Sequence, residues 1–185
     1  MISKKISKCR LCDATDLHVI LELGDQPPAN SLRKKISETL ENVPLTICRC
    51  PNCTTIQLTE TIDPEYMFSD YIWVTGTSKG AREYSKIFAD RITSKLSKSD
   101  DLFIVEVASN DGTFLQRFKE AGHSVLGVDP AKNLAELAQK NGIPTLADFF
   151  GLNVAKKVTA ESGRADIVIA RNVIPHVPDP NDVVG

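Results

Sequence analysis

Three stretches of this chain predict an α/β protein: a small cysteine-bearing β module followed by a partial Rossmann-like parallel sheet with flanking helices. The first is a pair of Cys-x-x-Cys turns, Cys9 to Cys12 and Cys50 to Cys53. The second is the apolar run 102–107, broken only by Glu106, which turns through Ser109, Asn110, Asp111 and Gly112 into the helical spacing of Phe114, Leu115 and Phe118. Strand, tight polar turn with glycine, then helix puts backbone N–H groups beside a ligand at the carboxyl edge of an open sheet. The third is the alternation that follows, ending in a fourth apolar segment at 165–170.

Size and composition narrow the classes. A 185-residue chain with 42% hydrophobic and 25% charged residues can bury a core as one or two domains. A net charge of −2 with scattered lysines gives no electrostatic case for nucleic acid. No apolar run approaches the roughly 20 residues of a membrane span, and the N-terminus has no signal-peptide core. A cytoplasmic setting is therefore expected, where five cysteines point to metal or catalysis rather than to disulfides.

In the cysteine-rich part, residues 1–67, each knuckle brings two thiolates to one point. Cys9, Cys12, Cys50 and Cys53 together supply the four sulfurs of a closed, structural zinc site. A redox Cys-x-x-Cys would sit between a strand and a helix, and neither pair does. Cys48 is read as a strand-face thiol outside the site. Short strands are expected at 17–23, 44–48 and 54–58, with a Gly/Pro/Asn turn at 24–31.

A linking stretch at 68–98 follows. It carries Tyr71 and Trp73, rings that can line a pocket, and a helix over 79–96 capped by Thr77 or Ser78. Residues 97–101 form the turn into the organising strand. Within 99–185 helices are expected at 113–121, 131–140 and 152–158, and strands at 124–128, 143–146 and 165–170. Polar residues end the successive strands: Glu106 through Gly112, then Asp129, then Asp148 with Phe149, then Arg171 with Asn172. Asp129 lies where such folds grip ribose hydroxyls, about 20 residues past the first turn. The set suits a cofactor made of an amino acid, a ribose and a purine. A single glycine at 112 is a poor dinucleotide fingerprint, so a nicotinamide enzyme is disfavoured.

The segment from Glu106 to Gly112 resembles motif I of class I S-adenosylmethionine-dependent methyltransferases, in the variant E-I-G-S-N-D-G. The preceding half resembles the zinc module fused to that domain in deoxysugar C-methyltransferases. The residues that carry it are the two knuckles, the stretch 23–31, Pro44-Leu45, Gln57-Leu58, Asp63-Pro64, Asp70-Tyr71 and Gly76-Thr77-Ser78. Residues 172–179, with His176 and Asp179, resemble the family's N-V-x-x-H-I-x-D motif. The likeness covers nearly the whole chain in the family's order.

That resemblance implies methylation of a carbon, typically C3, of a nucleotide-linked 4-keto-deoxysugar, with S-adenosylmethionine as methyl donor. It implies that Glu106, Ala108, Asn110, Asp111 and Gly112 line the methionine part and that Asp129 takes the ribose. Asp148 and Phe149 would hold adenine, with Arg171 and Asn172 beside the cofactor. Tyr71 and His176 would face the sugar, His176 as general acid or base. Two departures stand out: Ala108 replaces the family's first glycine, adding a methyl near the cofactor, and Trp73 stands where tyrosine is commoner. The family also continues for about as long again, through an E-H-P-Y-like stretch that carries the main proton-abstracting histidine. The chain is thus expected to be an N-terminal half, incomplete for turnover, with an apolar sheet edge open to a missing half or to self-association. The rival reading is a non-enzymatic, zinc-dependent protein-binding module.

Overall fold

The structure is a computed structural model and describes residues 2–96 and 101–185. Most of the turn expected at 97–101 therefore lies outside the described residues. The chain divides into two units: one runs to Phe68 and takes in Val177–Gly185, and the other is Ser69–His176.

In the first unit β1 (Ser3–Lys5) pairs antiparallel with β5 (Glu60–Ile62). Strands β2 (His18–Gln26), β3 (Val43–Arg49) and β4 (Ile56–Leu58) form an antiparallel sheet in the order β2-β3-β4. Strand β2 runs into the stretch expected to turn. Past an irregularity between Glu22 and Asp25, the pairing resumes with Asp25 opposite Pro44 and Gln26 opposite Val43. Gly24 absorbs the irregularity at φ 72°, a conformation glycine adopts without steric cost. Two short helices complete the unit, α1 (Pro64–Phe68) and α6 (Pro180–Val184). Apart from two prolines, its fully buried apolar side chains among the described residues are Cys9, Val43, Cys48 and Cys50. Three of these side chains are cysteines.

The second unit opens with α2 (Lys79–Thr93), capped as expected by Ser78, whose Oγ accepts from the Ala81 N–H at 3.3 Å. Then β6 (Phe103–Val107), α3 (Leu115–Glu120), β7 (Ser124–Val128), α4 (Lys132–Lys140), β8 (Thr145–Leu146), α5 (Leu152–Ser162) and β9 (Ile167–Ala170) follow in turn. The four strands are parallel in the order β8-β7-β6-β9, so the chain reverses direction across the sheet beside β6. Strand alternation sorts the core. Ile104 and Ile169 pack with Leu115 and Phe118 on one face, while Val105 and Val128 pack with Val154 and Val158 of α5 on the other. Both faces are covered, which is why β6 reads as a continuous apolar run.

Candidate functional site

The four knuckle thiols converge. Their sulfurs all lie within 4.8 Å of one another, with Cys9 and Cys53 Sγ 3.6 Å apart and Cys12 and Cys50 Sγ also 3.6 Å apart. A disulfide would need about 2.05 Å. A zinc tetrahedron with bonds of about 2.3 Å has sulfur–sulfur edges of about 3.8 Å, so the donor set fits zinc with no ligand position left open. The residue after each knuckle, Asp13 at φ 60° and Thr54 at φ 64°, turns left-handed and swings the chain away.

Neighbouring donors favour the thiolate form of Cys9 and Cys12. The buried Gln57 donates from Nε2 to Cys9 Sγ at 3.2 Å, and Asn52 Nδ2 donates to Cys12 Sγ at 3.4 Å. Burial pushes the Cys9 thiol up, but the N–H groups of Leu11 and Cys12 and the Gln57 amide outweigh it and bring it to about 6. Cys12 is lowered too, chiefly by Asn52. Cys48 stands on β3 opposite Gln57, buried and outside the four-sulfur group, as a strand-face thiol should. Gln57 was legible only as a motif residue; its role as a donor to sulfur follows from the β3–β4 register.

In the second unit the motif I turn winds with every second residue left-handed: Ala108 at φ 54°, Asn110 at 56° and Gly112 at 77°. Gly112 has a second constraint, because a Cβ there would come within 2.9 Å of Ile143. For Ala108 the departure from glycine is a matter of backbone as well as of an added methyl. Alanine is strained in this region, so Ala108→Gly is expected to raise stability by about 0.5–1 kcal/mol. A urea midpoint shifted upward at unchanged slope would show it; no shift would mean the turn relaxes at no cost.

Asp129, at the end of β7, is 5% exposed. Its Oδ2 accepts from the Asn110 N–H at 2.7 Å and its Oδ1 from the Ala131 N–H at 2.9 Å. Burial raises its pKa, opposed by those two N–H groups. Each carboxylate oxygen keeps a further lone pair, so the group that pins the turn can also accept from hydroxyls. The side chains of Asn110 and Asp111 point elsewhere. Asn110 accepts from the Thr75 N–H at 2.8 Å and donates to the Trp73 carbonyl at 2.9 Å, while Asp111 Oδ2 accepts from the Gly76 N–H at 2.9 Å. Asn133, in the first turn of α4, brackets Tyr71 in the same way, donating to its carbonyl at 2.8 Å and accepting from its N–H at 3.2 Å. Residues 73–76 are thereby strapped to the motif I turn and Tyr71 to α4, an attachment through Asn133 that carries no sequence signal.

Glu106 is fully buried, and its Oε1 takes two hydrogen bonds from Arg171, from Nε at 2.9 Å and from Nη2 at 2.6 Å. The guanidinium lies 3.2 Å from the centroid of the Phe114 ring, a cation–π shelf. Burial drives the Glu106 carboxyl up to about 7 despite the opposing charge of Arg171. Its Oε2 and Ser109 Oγ are the buried side-chain oxygens with no hydrogen-bond partner among the described residues. Buried polar atoms left unpaired beside the turn fit a ligand that brings hydrogen-bonding groups of its own. Asp148, Phe149, Asn172 and His176 are exposed on the loops after β8 and β9. Asp148 Oδ1 accepts from the Phe149 N–H at 2.8 Å, and His176 closes a 3-10 turn, its N–H donating to the Val173 carbonyl at 2.8 Å. Tyr71 is half-buried and Trp73 is exposed.

A parallel sheet in this order, with an acid after its second strand and four converging thiols in a preceding module, is the arrangement expected of a methyltransferase that carries a zinc-binding module. The chain belongs to the methyltransferase family: residues 81–185 match the model described as "Methyltransferase domain". Residues 9–68 match the one described as "Putative zinc binding domain". The cofactors are accordingly S-adenosylmethionine and zinc. The chain is similar to C-methyltransferase NovU of Streptomyces niveus, 30% identical over 187 residues that cover 99% of this chain and 44% of that protein. A ubiquinone biosynthesis O-methyltransferase of Bordetella avium is 29% identical over 83 residues, 44% of this chain and 34% of that one. The chain thus spans less than half the length of these curated relatives. A magnesium protoporphyrin IX methyltransferase from Synechocystis PCC 6803 with bound SAM overlays 54% of this chain and 48% of that one, at 16% identity and a TM-score of 0.42. No helix among the described residues is long and apolar enough to cross a membrane.

Proposed function

We propose that this chain is the cofactor-binding part of an S-adenosylmethionine-dependent C-methyltransferase acting on a nucleotide-linked keto-deoxysugar. One observation carries the reading. The similarity to a C-methyltransferase runs through 99% of the chain, across the zinc module and the methyltransferase part in one order. The O-methyltransferase relative, by contrast, matches 44% of it.

In this reading Asp129 accepts from the ribose hydroxyls and the turn from Ala108 to Gly112 runs beside the methionine moiety. Glu106 Oε2 offers an acceptor there, with Arg171 keeping the carboxylate oriented. Asp148 and Phe149 hold and flank adenine, and Asn172 lies beside the cofactor. When bound, the sulfonium supplies an electrophilic methyl group. The chain's own part is to place Tyr71 and His176 toward the sugar. A carbon next to a ketone becomes nucleophilic once its proton is removed, and the His176 imidazole, exposed on the β9 loop, accepts or returns a proton. The partner is a small molecule, neither nucleic acid nor membrane, and the setting is cytoplasmic.

Calorimetric titration of the zinc-loaded chain with S-adenosylmethionine tests the core of this. Saturable binding is expected, weakened at least about tenfold in Asp129→Ala through lost hydrogen bonds to a charged acceptor. Folded, zinc-loaded protein that takes up no cofactor would refute the reading. A nucleotide-linked 4-keto-deoxysugar titrated in the presence of S-adenosylhomocysteine tests the substrate class, and Tyr71→Ala and His176→Ala should weaken its binding while sparing the cofactor's.

A further inference from the structure

The first zinc knuckle does more than bind metal. Arg10, between Cys9 and Cys12, donates from its backbone N–H to Gln57 Oε1 at 3.1 Å and from Nη1 to the Val177 carbonyl at 3.0 Å. The same Gln57 donates to Cys9 Sγ, so metal ligand, Gln57, Arg10 and Val177 form one chain of hydrogen bonds. A second contact runs alongside. Asn181 Nδ2 reaches the Leu11 carbonyl at 3.1 Å and the Arg10 carbonyl at 3.4 Å. Asn181 is set by its own helix end: Asp179 Oδ1 accepts from the N–H groups of Asn181 at 3.0 Å and Asp182 at 3.2 Å, capping α6 with Pro180 in its first turn. Partners some 170 positions apart in sequence therefore meet on the knuckle, and Val177 is the residue that follows His176.

We propose that Arg10 and Asn181 are positioning residues through which the zinc knuckle anchors the exit of the His176 segment. The metal fixes the carbonyls of Arg10 and Leu11 and the base of the Arg10 side chain. These hold Val177 and Asn181, and so restrict the backbone that leaves His176. The role of Asp179 in the motif is then mechanical: it shapes the turn that presents Asn181 to the knuckle. The relevance to catalysis rests on the proposed role of His176; the tether itself does not.

Hydrogen–deuterium exchange on the zinc-loaded chain tests it. In an Arg10→Ala/Asn181→Ala double variant, amides of 177–184 should exchange about tenfold faster, with β3 and β4 unchanged and zinc still bound. The ring resonances of His176 should shift or broaden while those of His18 and His123 stay put. Arg10→Lys, which keeps one donor for the Val177 carbonyl, should recover part of the protection in the Asn181→Ala background. Asn181→Ala alone leaves every knuckle side chain intact and reads out the same tether should the double variant shed its metal. Unchanged exchange and unchanged His176 signals would overturn the proposal. Normal protection of 177–184 with no S-adenosylmethionine binding would instead overturn the methyltransferase reading and leave the tether standing.

Discussion

Removing zinc with a strong chelator should unfold the first unit while α2 and the parallel sheet keep their structure. Hydrophobic burial cannot hold that unit alone. Among its described residues the buried apolar set is three cysteines, Val43 and two prolines, whereas Val19, Ile20, Leu21, Leu23, Ile56 and Leu58 are exposed. At about 25 cal/mol per Å² such a core offsets little of a backbone ordering cost of about 1–2 kcal/mol per residue. A four-thiolate zinc contributes on the order of 10 kcal/mol of apparent folding free energy. Cys9→Ser, Cys12→Ser, Cys50→Ser and Cys53→Ser should each lower zinc occupancy and strip exchange protection from β2, β3 and β4. Cys48→Ala should leave zinc content unchanged, because Cys48 contributes packing only. The N–H of Cys53 favours the Cys50 thiolate, but burial and the neighbouring Cys12 and Cys53 thiols outweigh it and push that thiol to about 11. Zinc must displace this proton, so occupancy should fall as the solution is acidified. A first unit that stays protected after complete metal removal would contradict the sulfur-core account.

The second large effect is expected at Arg171. Replacing it with alanine leaves the buried Glu106 carboxyl without its ion-pair partner, and loss of one partner of a buried ion pair costs about 3–5 kcal/mol. The pH dependence supplies a signature. The folded-state pKa of Glu106 is raised to about 7 from 4.5, so the native state binds the proton more tightly than the unfolded chain. Its contribution to stability is complete below the unfolded value and is lost as pH rises through the folded one. That loss is on the order of 3 kcal/mol across the window. Urea midpoints at about pH 5 and about pH 8 should therefore show wild type more stable on the acid side as far as this group is concerned. Arg171→Ala should steepen the fall and extend it to higher pH. Glu106→Gln should flatten it, and the Glu106→Gln/Arg171→Ala pair should recover much of the single-variant loss. An Arg171→Ala protein with wild-type midpoints at both pH values would mean the pair is solvated.

Much of this architecture is written locally. The knuckle spacing names its own ligands, and alternation of strand and helix periods predicts a parallel sheet. The hydroxyls at Thr77 and Ser78 announce a helix start, and an acid ends β7 at the register where a ligand edge is expected. Element ends were less legible. Strand β2 continues through Gly24 because β3 offers partners beyond the bulge, and α5 runs on to Ser162 until Gly163 takes φ 87°. These limits depend on what lies alongside, which a linear pattern does not contain.

By itself, then, the sequence determined the metal donors, the fold class and which loops would gather at the carboxyl edge. Each rests on near neighbours or on a period repeated along one element. Tertiary structure alone decided how the polar residues are spent. Glu106 turns inward to Arg171 across two parallel strands, and Asn110 and Asp111 strap residues 73–76. Gln57 donates to a metal ligand, and Val177 returns to the first knuckle. The physical reason is common to all four: a polar group's partner is set by strand register and by which buried donors remain unmet, and both come into being only when distant segments pack.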